Sequence, residues 1–240
     1  MVDVDVDVLA DLAPTGALRA SINLGNPVLA QGSADAPGGV TVEIARAVAD
    51  RLGVPVRFVC FDAARKSYQA MASGDADICF LAIEPAREAE VAFTAPYVVI
   101  EGVFAVPQGS PLHTVADVDA PGVRIAVKQG SAYDLYLTRT LRHATLVRGA
   151  ESLDAFRAGG AEAVAGIRQP LTATVDEDPS LRLIDERFMQ IRQAVGTTRD
   201  RKPGTVEFLH STVEALKADG TVAAALRRSG QSESLLAPPA

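Results

Sequence analysis

The chain has 240 residues, 48% apolar, 22% charged and 5% aromatic, with no Trp, a mixture that excludes a disordered chain and fits a core of Ala, Val, Leu and Ile. Lys and Arg number 23 against 30 Asp and Glu, for a net charge of −7; without a basic tract this excludes a nucleic-acid partner, because phosphate neutralisation supplies most of that affinity. No apolar run approaches the roughly 18 residues of a membrane-spanning helix, so a water-soluble protein is expected, and the two cysteines, Cys60 and Cys79, are too few for a disulfide framework or a four-ligand zinc site.

The chain opens Met1-Val2-Asp3-Val4-Asp5-Val6-Asp7-Val8, acidic and alternating, unlike the basic and then apolar start of a secretory signal. The expectation is a mature, trimmed form or a cytoplasmic protein. The Asp-Val run reads as a cation-binding strip or as a frayed segment feeding the first helix, and its terminal place favours the second. Leu18–Leu24 then reads as a strand, and Val40–Leu52 as a helix stopped by Gly53. Val56–Phe61 is a strand, Ala64–Ser73 a helix ending at Gly74, and Ala76–Ile83 a nearly continuous apolar strand buried on both faces. The pattern restarts with strands at Gly102–Val106 and Val123–Val127, a helix over Ala132–Arg142, a strand at Thr145–Val147, a helix at Ser152–Ala158 and a strand at Ala161–Ala165. Arg182–Ile184 and Gln190–Gly196 read as two further strands, Val206–Ala218 and Thr221–Ser229 as helices, and Ser232–Ala240 as a disordered tail. Alternating strands and helices predict an α/β protein with parallel sheets. Two successive sets predict two lobes of about 100 residues each, joined by short crossings near Glu101 and Gln193.

Ligands of parallel α/β sheets bind beyond the carboxyl ends of the strands, which directs attention to Asn23–Pro27, Phe61–Lys66, Ala82–Arg87, Gln129–Tyr133 and Gly166–Gln169. In Ala82–Arg87, Pro85 suits a first helical position, free N–H groups there attract an anion, and Arg87 can fork onto a carboxylate. Glu84 either pairs with Arg87 to cap the helix or holds a ligand ammonium. Ser131, after Gln129 and Gly130, caps a helix or touches a ligand. Enzyme motifs are absent: no GxSxG, P-loop, HExxH or GxGxxG occurs. His113, His143 and His210 are scattered, Cys60 and Cys79 read as inert thiols, and Asp75 and Asp77 as turn residues.

The order of several segments resembles a known family: Gly16-Ala17-Leu18-Arg19, Val40–Ala49, Leu52-Gly53-Val54, Ala72–Ile78, Pro85-Ala86-Arg87 followed by Val91–Tyr97, then Gln129-Gly130-Ser131 and Leu216–Thr221. Over about residues 9–230 the chain looks like the family 3 extracellular solute-binding proteins, the receptors of polar amino-acid ABC transporters. The resemblance implies a two-lobed type II periplasmic-binding-protein fold with a hinge of two crossing strands. Lobe 1 would comprise residues 1–101 and 194–240 and lobe 2 residues 102–193. It implies that Arg87 takes a ligand carboxylate in a solvent-facing gap that two hinged halves shut, with Glu84 and Ala82 where the family usually has hydroxyl or carbonyl contacts. Ser131 and Gln129 would be the closing-lobe contacts, and Asn26, Phe61 and Arg168 further lining residues. Two departures matter: Ile167 stands where an aspartate usually meets the α-ammonium, and the loop Asn23–Pro27 has no aromatic. An ammonium buried without a carboxylate costs several kcal/mol, so either Glu84 takes it over or the ligand is not an ordinary α-amino acid.

The implied function is binding of a small carboxylate-bearing, amino-acid-like solute as the substrate-binding component of an ABC transporter. The protein would be a periplasmic, monomeric non-enzyme with no metal or cofactor, partnered by a membrane permease. Two alternatives share the fold: a cytoplasmic ligand-sensing or storage module, which the missing signal favours, and a cyclohexadienyl-dehydratase-like enzyme, which needs a lobe-two acid near Ile167, where Glu162 lies close in sequence within the strand.

Overall fold

In the computed structural model, which describes residues 5–240, α1 (Val6–Leu12) comes first, with the Asp7 amide donating to the Asp5 carboxylate at its start. Residues 1–4, and with them half of the Asp-Val run, lie outside the described residues. There follow β1 (Leu18–Asn23), the short strands β2 (Gln31–Gly32) and β3 (Pro37–Gly38), α2 (Val40–Leu52), β4 (Val56–Phe61), α3 (Ala64–Ala72), β5 (Ile78–Ala82), the single turn α4 (Pro85–Glu88) and β6 (Val91–Pro107). Then come α5 (Val115–Val118), β7 (Arg124–Lys128), α6 (Ala132–Thr140), β8 (Thr145–Gly149), α7 (Ser152–Ala155) continued by a π turn at Phe156–Gly160, and β9 (Ala163–Ile167). The chain closes with α8 (Arg168–Glu177), β10 (Leu181–Thr198), α9 (Pro203–Ala218), α10 (Thr221–Arg228) and a 3-10 turn at Glu233–Leu235.

The chain divides into two compact units, one running to Val99 and resuming at Arg192, the other Ile100–Ile191. It passes between them twice, within β6 and within β10. In the first unit the strand order is β4-β1-β5-β10; β1 is parallel to β4 and β5, and β10 is antiparallel to β5. In the second the order is β6-β9-β7-β8, with β7 parallel to both neighbours and β6 antiparallel to β9. Crossover helices create these parallel ladders. α2 buries Val40, Val42, Ile44, Ala45, Val48, Ala49 and Leu52, and left-handed Gly53 at φ 70° ends it, as the apolar spacing and the glycine predict. Every residue of β5 is buried, as expected of a strand with helices or strands on each side.

Several expectations are corrected. β6 is 17 residues long rather than Gly102–Val106; Pro96, which cannot donate to a ladder, disguises its first half. Thr94 compensates locally, its hydroxyl accepting the Val195 amide at 3.2 Å. Arg182–Ile184 and Gln190–Gly196 are one strand, β10, whose exposed Asp185-Glu186-Arg187 segment interrupts the apolar pattern without breaking the backbone. α8 begins where a loop was expected; Pro170 sits in its first turn, where an amide has no intrahelical acceptor to lose. The carboxyl-terminal segment is ordered, not a disordered tail: Ala237 is buried and donates to the Tyr97 carbonyl at 3.1 Å, Leu236 bridges Val98, and the Ala240 amide reaches Glu214 at 3.1 Å.

Asp77 is more than a turn residue. It is fully buried and its carboxylate accepts from the Arg19 amide at 2.8 Å, Arg19 Nε at 3.0 Å, Arg19 Nη2 at 2.7 Å and Arg201 Nη2 at 3.2 Å. The hydrogen bond to Asp77, more than its burial, sets the Arg19 guanidinium, whose pKa is raised. Arg201 also donates to the Asp11 carbonyl, and the Asp11 carboxylate takes the Lys202 amide at 3.0 Å and the Thr205 hydroxyl at 2.6 Å. Asp77 and Asp11, bridged by Arg201, thus tie β1, the start of β5, α1 and the entry to α9 together. Removing the Asp77 carboxylate strands buried donors, so Asp77→Ala is expected to lower the unfolding free energy by about 3 kcal/mol in urea titrations. Gly196 on β10 has a different constraint: a Cβ there would lie 2.5 Å from Val91 Cγ1 and 3.1 Å from Cys79 Sγ. Gly196→Ala is expected to cost about 1–3 kcal/mol in the same assay.

Candidate functional site

Because β4, β1 and β5 are parallel, their carboxyl ends share one edge of the first unit's sheet, with Asn23 in register with Phe61. The loop after β1 is shaped by Asn23, whose Oδ1 accepts the Gly25 amide at 3.1 Å in an Asx turn. The Asn26 carbonyl then accepts from Leu29 and Ala30 at 3.1 and 3.0 Å, and the Asn26 side chain turns inward, leaving the residue 6% exposed. Phe61, at the end of β4, is half-buried. On the far side of β5, antiparallel β10 sets Gln193 opposite Ala82, and the Ile83 amide donates to the Arg192 carbonyl at 2.9 Å. Directly opposed antiparallel residues project from the same face, so Gln193 accompanies Ala82 at this edge; the sequence reading used Gln193 only to mark a chain crossing.

Pro85 occupies the first position of α4, as expected, and the Glu84 carbonyl accepts from the Arg87 and Glu88 amides at 2.8 and 3.0 Å. The Glu84 side chain makes no capping bond to the helix. Both charged residues are buried, Glu84 at 2% and Arg87 at 3% exposure. This corrects the expectation of a solvent-facing guanidinium: Arg87 folds back over its own turn, and its Nη1 donates to the Ala82 carbonyl at 3.1 Å. Burial lowers the Arg87 pKa to about 10, opposed by the charges of Glu84, Cys79 and Tyr68 in that order. The guanidinium therefore stays ionised at neutral pH, with the Glu84 charge the largest counterweight to its burial. Burial pushes the Cys79 thiol up to about 12, which makes it inert, and raises Cys60 as well.

The second unit has its own carboxyl-end edge, formed by β7, β8 and β9. Gln129 is exposed there, its amide bonded to the Gly149 carbonyl at 2.9 Å. Ser131 caps α6: its Oγ accepts the Asp134 amide at 3.1 Å, while the Asp134 carboxylate takes the Gly130 amide at 2.8 Å and Arg148 Nε at 2.9 Å. Arg168 is the first residue of α8 and is engaged within its own unit, donating to Glu101 at 2.6 Å and to the Asp185 carbonyl at 2.7 Å; Arg187 also reaches Glu101, at 3.0 Å. Glu162 precedes β9 rather than lying within it, and pairs with Arg124 at 2.7 Å.

The structure thus gathers Asn26, Phe61, Ala82, Glu84 and Arg87 on one edge of the first unit and Gln129, Ser131 and Arg168 on the corresponding edge of the second. Arg168 is primarily a partner of Glu101. Burial raises the Glu101 carboxyl pKa, but the hydrogen bonds from Arg168 and Arg187 outweigh it and the net shift is downward. A lowered folded-state pKa contributes stability above the ordinary value of 4.5, lost as pH falls through the lowered value. Glu101→Gln is therefore expected to cost about 1 kcal/mol at pH 7. The gap to the unmodified protein should close as urea titrations are carried down toward pH 2.

The model of the bacterial extracellular solute-binding proteins, family 3, matches residues 22–231. No curated protein sequence matches the chain. Among solved structures, the solute receptor for L-cysteine of Neisseria gonorrhoeae is similar at a TM-score of 0.77 and 22% identity, covering 92% of this chain and 92% of that one. A mutant of the ArgBP of T. maritima gives 0.76 and 21%, covering 93% and 99%. The L-arginine-bound amino acid ABC transporter substrate-binding protein AbpA of Streptococcus pneumoniae gives 0.75 and 20%, covering 91% and 96%. These likenesses establish the two-lobed fold of periplasmic-binding proteins, and the family match extends from β1 to the end of α10: the chain belongs to the family 3 bacterial extracellular solute-binding proteins.

Proposed function

We propose that the protein binds a small zwitterionic, amino-acid-like solute through its carboxylate, as the periplasmic substrate-binding component of an ABC transporter. The observation that carries this reading is the Arg87 guanidinium, ionised at neutral pH although 3% exposed and lowered to about 10 by burial. A ligand carboxylate would supply a charge-assisted, forked partner and return the guanidinium toward its ordinary strength. Glu84, 2% exposed and acting on Arg87 through its charge, is the group proposed for the ligand ammonium, replacing the aspartate that Ile167 displaces. With one buried charge of each sign, a zwitterion leaves both compensated, whereas a dianion would set one carboxylate against Glu84.

Ala82 is proposed to contribute through its backbone, and Asn26 and Phe61 to line the same edge. Gln129 and Ser131 are proposed ligand contacts from the second unit, the Ser131 hydroxyl already accepting the Asp134 amide. Arg168, bound to Glu101, is proposed to position its edge rather than to touch the ligand. The neighbours AbpA and the L-cysteine receptor, whose names describe amino-acid binding, support the ligand class and a permease as partner. A dehydratase reading finds no support at Glu162: the Arg124 hydrogen bond holds its carboxyl below the ordinary range, the wrong direction for an acid that donates a proton at neutral pH.

Calorimetric titration with a panel of amino acids and small carboxylates tests the proposal. Zwitterionic amino acids are expected to bind, Arg87→Ala to weaken binding by about a hundredfold or more, and Glu84→Gln to weaken amino acids far more than their deaminated analogues. An unchanged affinity in Arg87→Ala removes the assignment.

A further inference from the structure

Two carboxamides, Asn26 and Gln193, lie on the first unit's edge beside the charged pair. Asn26 Oδ1 is sealed from solvent and accepts no hydrogen bond, in a residue 6% exposed. Gln193 is also 6% exposed, and no group among the described residues bonds its carboxamide. A sealed amide oxygen is almost always paired, so Asn26 Oδ1 calls for a donor, while the Gln193 carboxamide, not sealed in this way, is open to a further contact. Their placement is informative. The strand order β4-β1-β5-β10 puts Asn26, after β1, and Gln193, on β10, on either side of β5 and its Glu84–Arg87 turn. Neighbouring strands are about 5 Å apart, so the flanking strands are separated by about 10 Å, a span that one extended amino acid covers.

The same edge limits the charge of the missing partner. If the ligand's carboxylate and ammonium occupy Arg87 and Glu84, as the proposed function requires and as this inference therefore assumes, no buried charge remains there to meet a third. The exposed Asp62 and half-buried Lys66 beyond β4 neutralise each other at 2.7 Å. A charged ligand side chain would be desolvated without compensation, whereas Asn26 Oδ1 can be satisfied only by a donor. We propose that Asn26 and Gln193 are the specificity-determining residues of this site, and that the ligand's side chain is an uncharged, N–H-bearing group of the carboxamide class. Such a group offers a donor to Asn26 and the complementary donor and acceptor to Gln193.

The test is calorimetry with three probes: L-glutamine, L-methionine of similar length without the amide, and L-alanine, whose side chain reaches neither carboxamide. The unmodified protein is expected to bind glutamine at least about tenfold more tightly than methionine, because a site built for a hydrogen bond rejects the analogue that lacks it. Asn26→Leu and Gln193→Met should each bring that ratio toward one, with alanine titrated alongside as the reference for the carboxylate and ammonium contacts. If one variant fails to fold by its thermal melt, the other decides. A glutamine-to-methionine ratio near one in the unmodified protein, or one that survives in the folded variants, overturns the inference. Absence of binding by all three amino acids, or binding indifferent to Arg87→Ala, instead overturns the proposed function and this inference with it.

Discussion

A short strand buried on both faces, with a charged side chain buried at each end, is the constraint on which the first unit depends. β5 has five residues, all buried, and its backbone is paired with β1 on one side and β10 on the other. Asp77 precedes it at 0% exposure and Arg87 follows its carboxyl end at 3%. A strand held by two ladders cannot slip by one residue without reversing which side chains face each way. The positions of both charges are therefore set by the sheet rather than by the loops that carry them.

The two ends use burial differently. Asp77 receives four hydrogen bonds from Arg19 and Arg201, and that completeness makes it an anchor. Arg87 bonds the Ala82 carbonyl at the end of β5 and is opposed by the charge of Glu84, yet burial still dominates its pKa. In the second unit the same distinction separates residues that looked alike in sequence. Arg168 and Arg187 share Glu101 and brace β6, α8 and β10, whereas Gln129 is exposed at the loop beyond β7.

Much of the scaffold was legible locally. Val40–Leu52 has the helical period and a glycine stop, Val56–Phe61 has strand composition, and the continuous apolar run around Ile78–Ala82 reads as a strand buried on both faces. The errors cluster where a local signal was overruled. A strand was expected only from Gly102 and a loop at Gly166–Gln169, but β6 runs on through Pro96, where the Thr94 hydroxyl takes a neighbouring amide, and Pro170 lies in the first turn of α8. The charged Asp185–Arg187 segment read as a gap, but Arg187 has its partner on the other crossing strand. The carboxyl-terminal segment read as disordered because its contacts, to Tyr97 and Val98, are far away in sequence.

What the sequence by itself determined is the alternation of strands and helices, the order of motifs that marks the family, and which loops follow the carboxyl ends of strands. Those properties are set by side-chain periodicity and by turn residues acting over a few positions. Only the tertiary structure decided that the Arg87 guanidinium is buried, that Arg168 belongs to Glu101, that Asp77 joins residues 58 and 124 positions away, and that Gln193 stands beside Ala82. Burial and pairing across such separations arise when sheet register brings distant segments side by side, and no local pattern in the chain records that register.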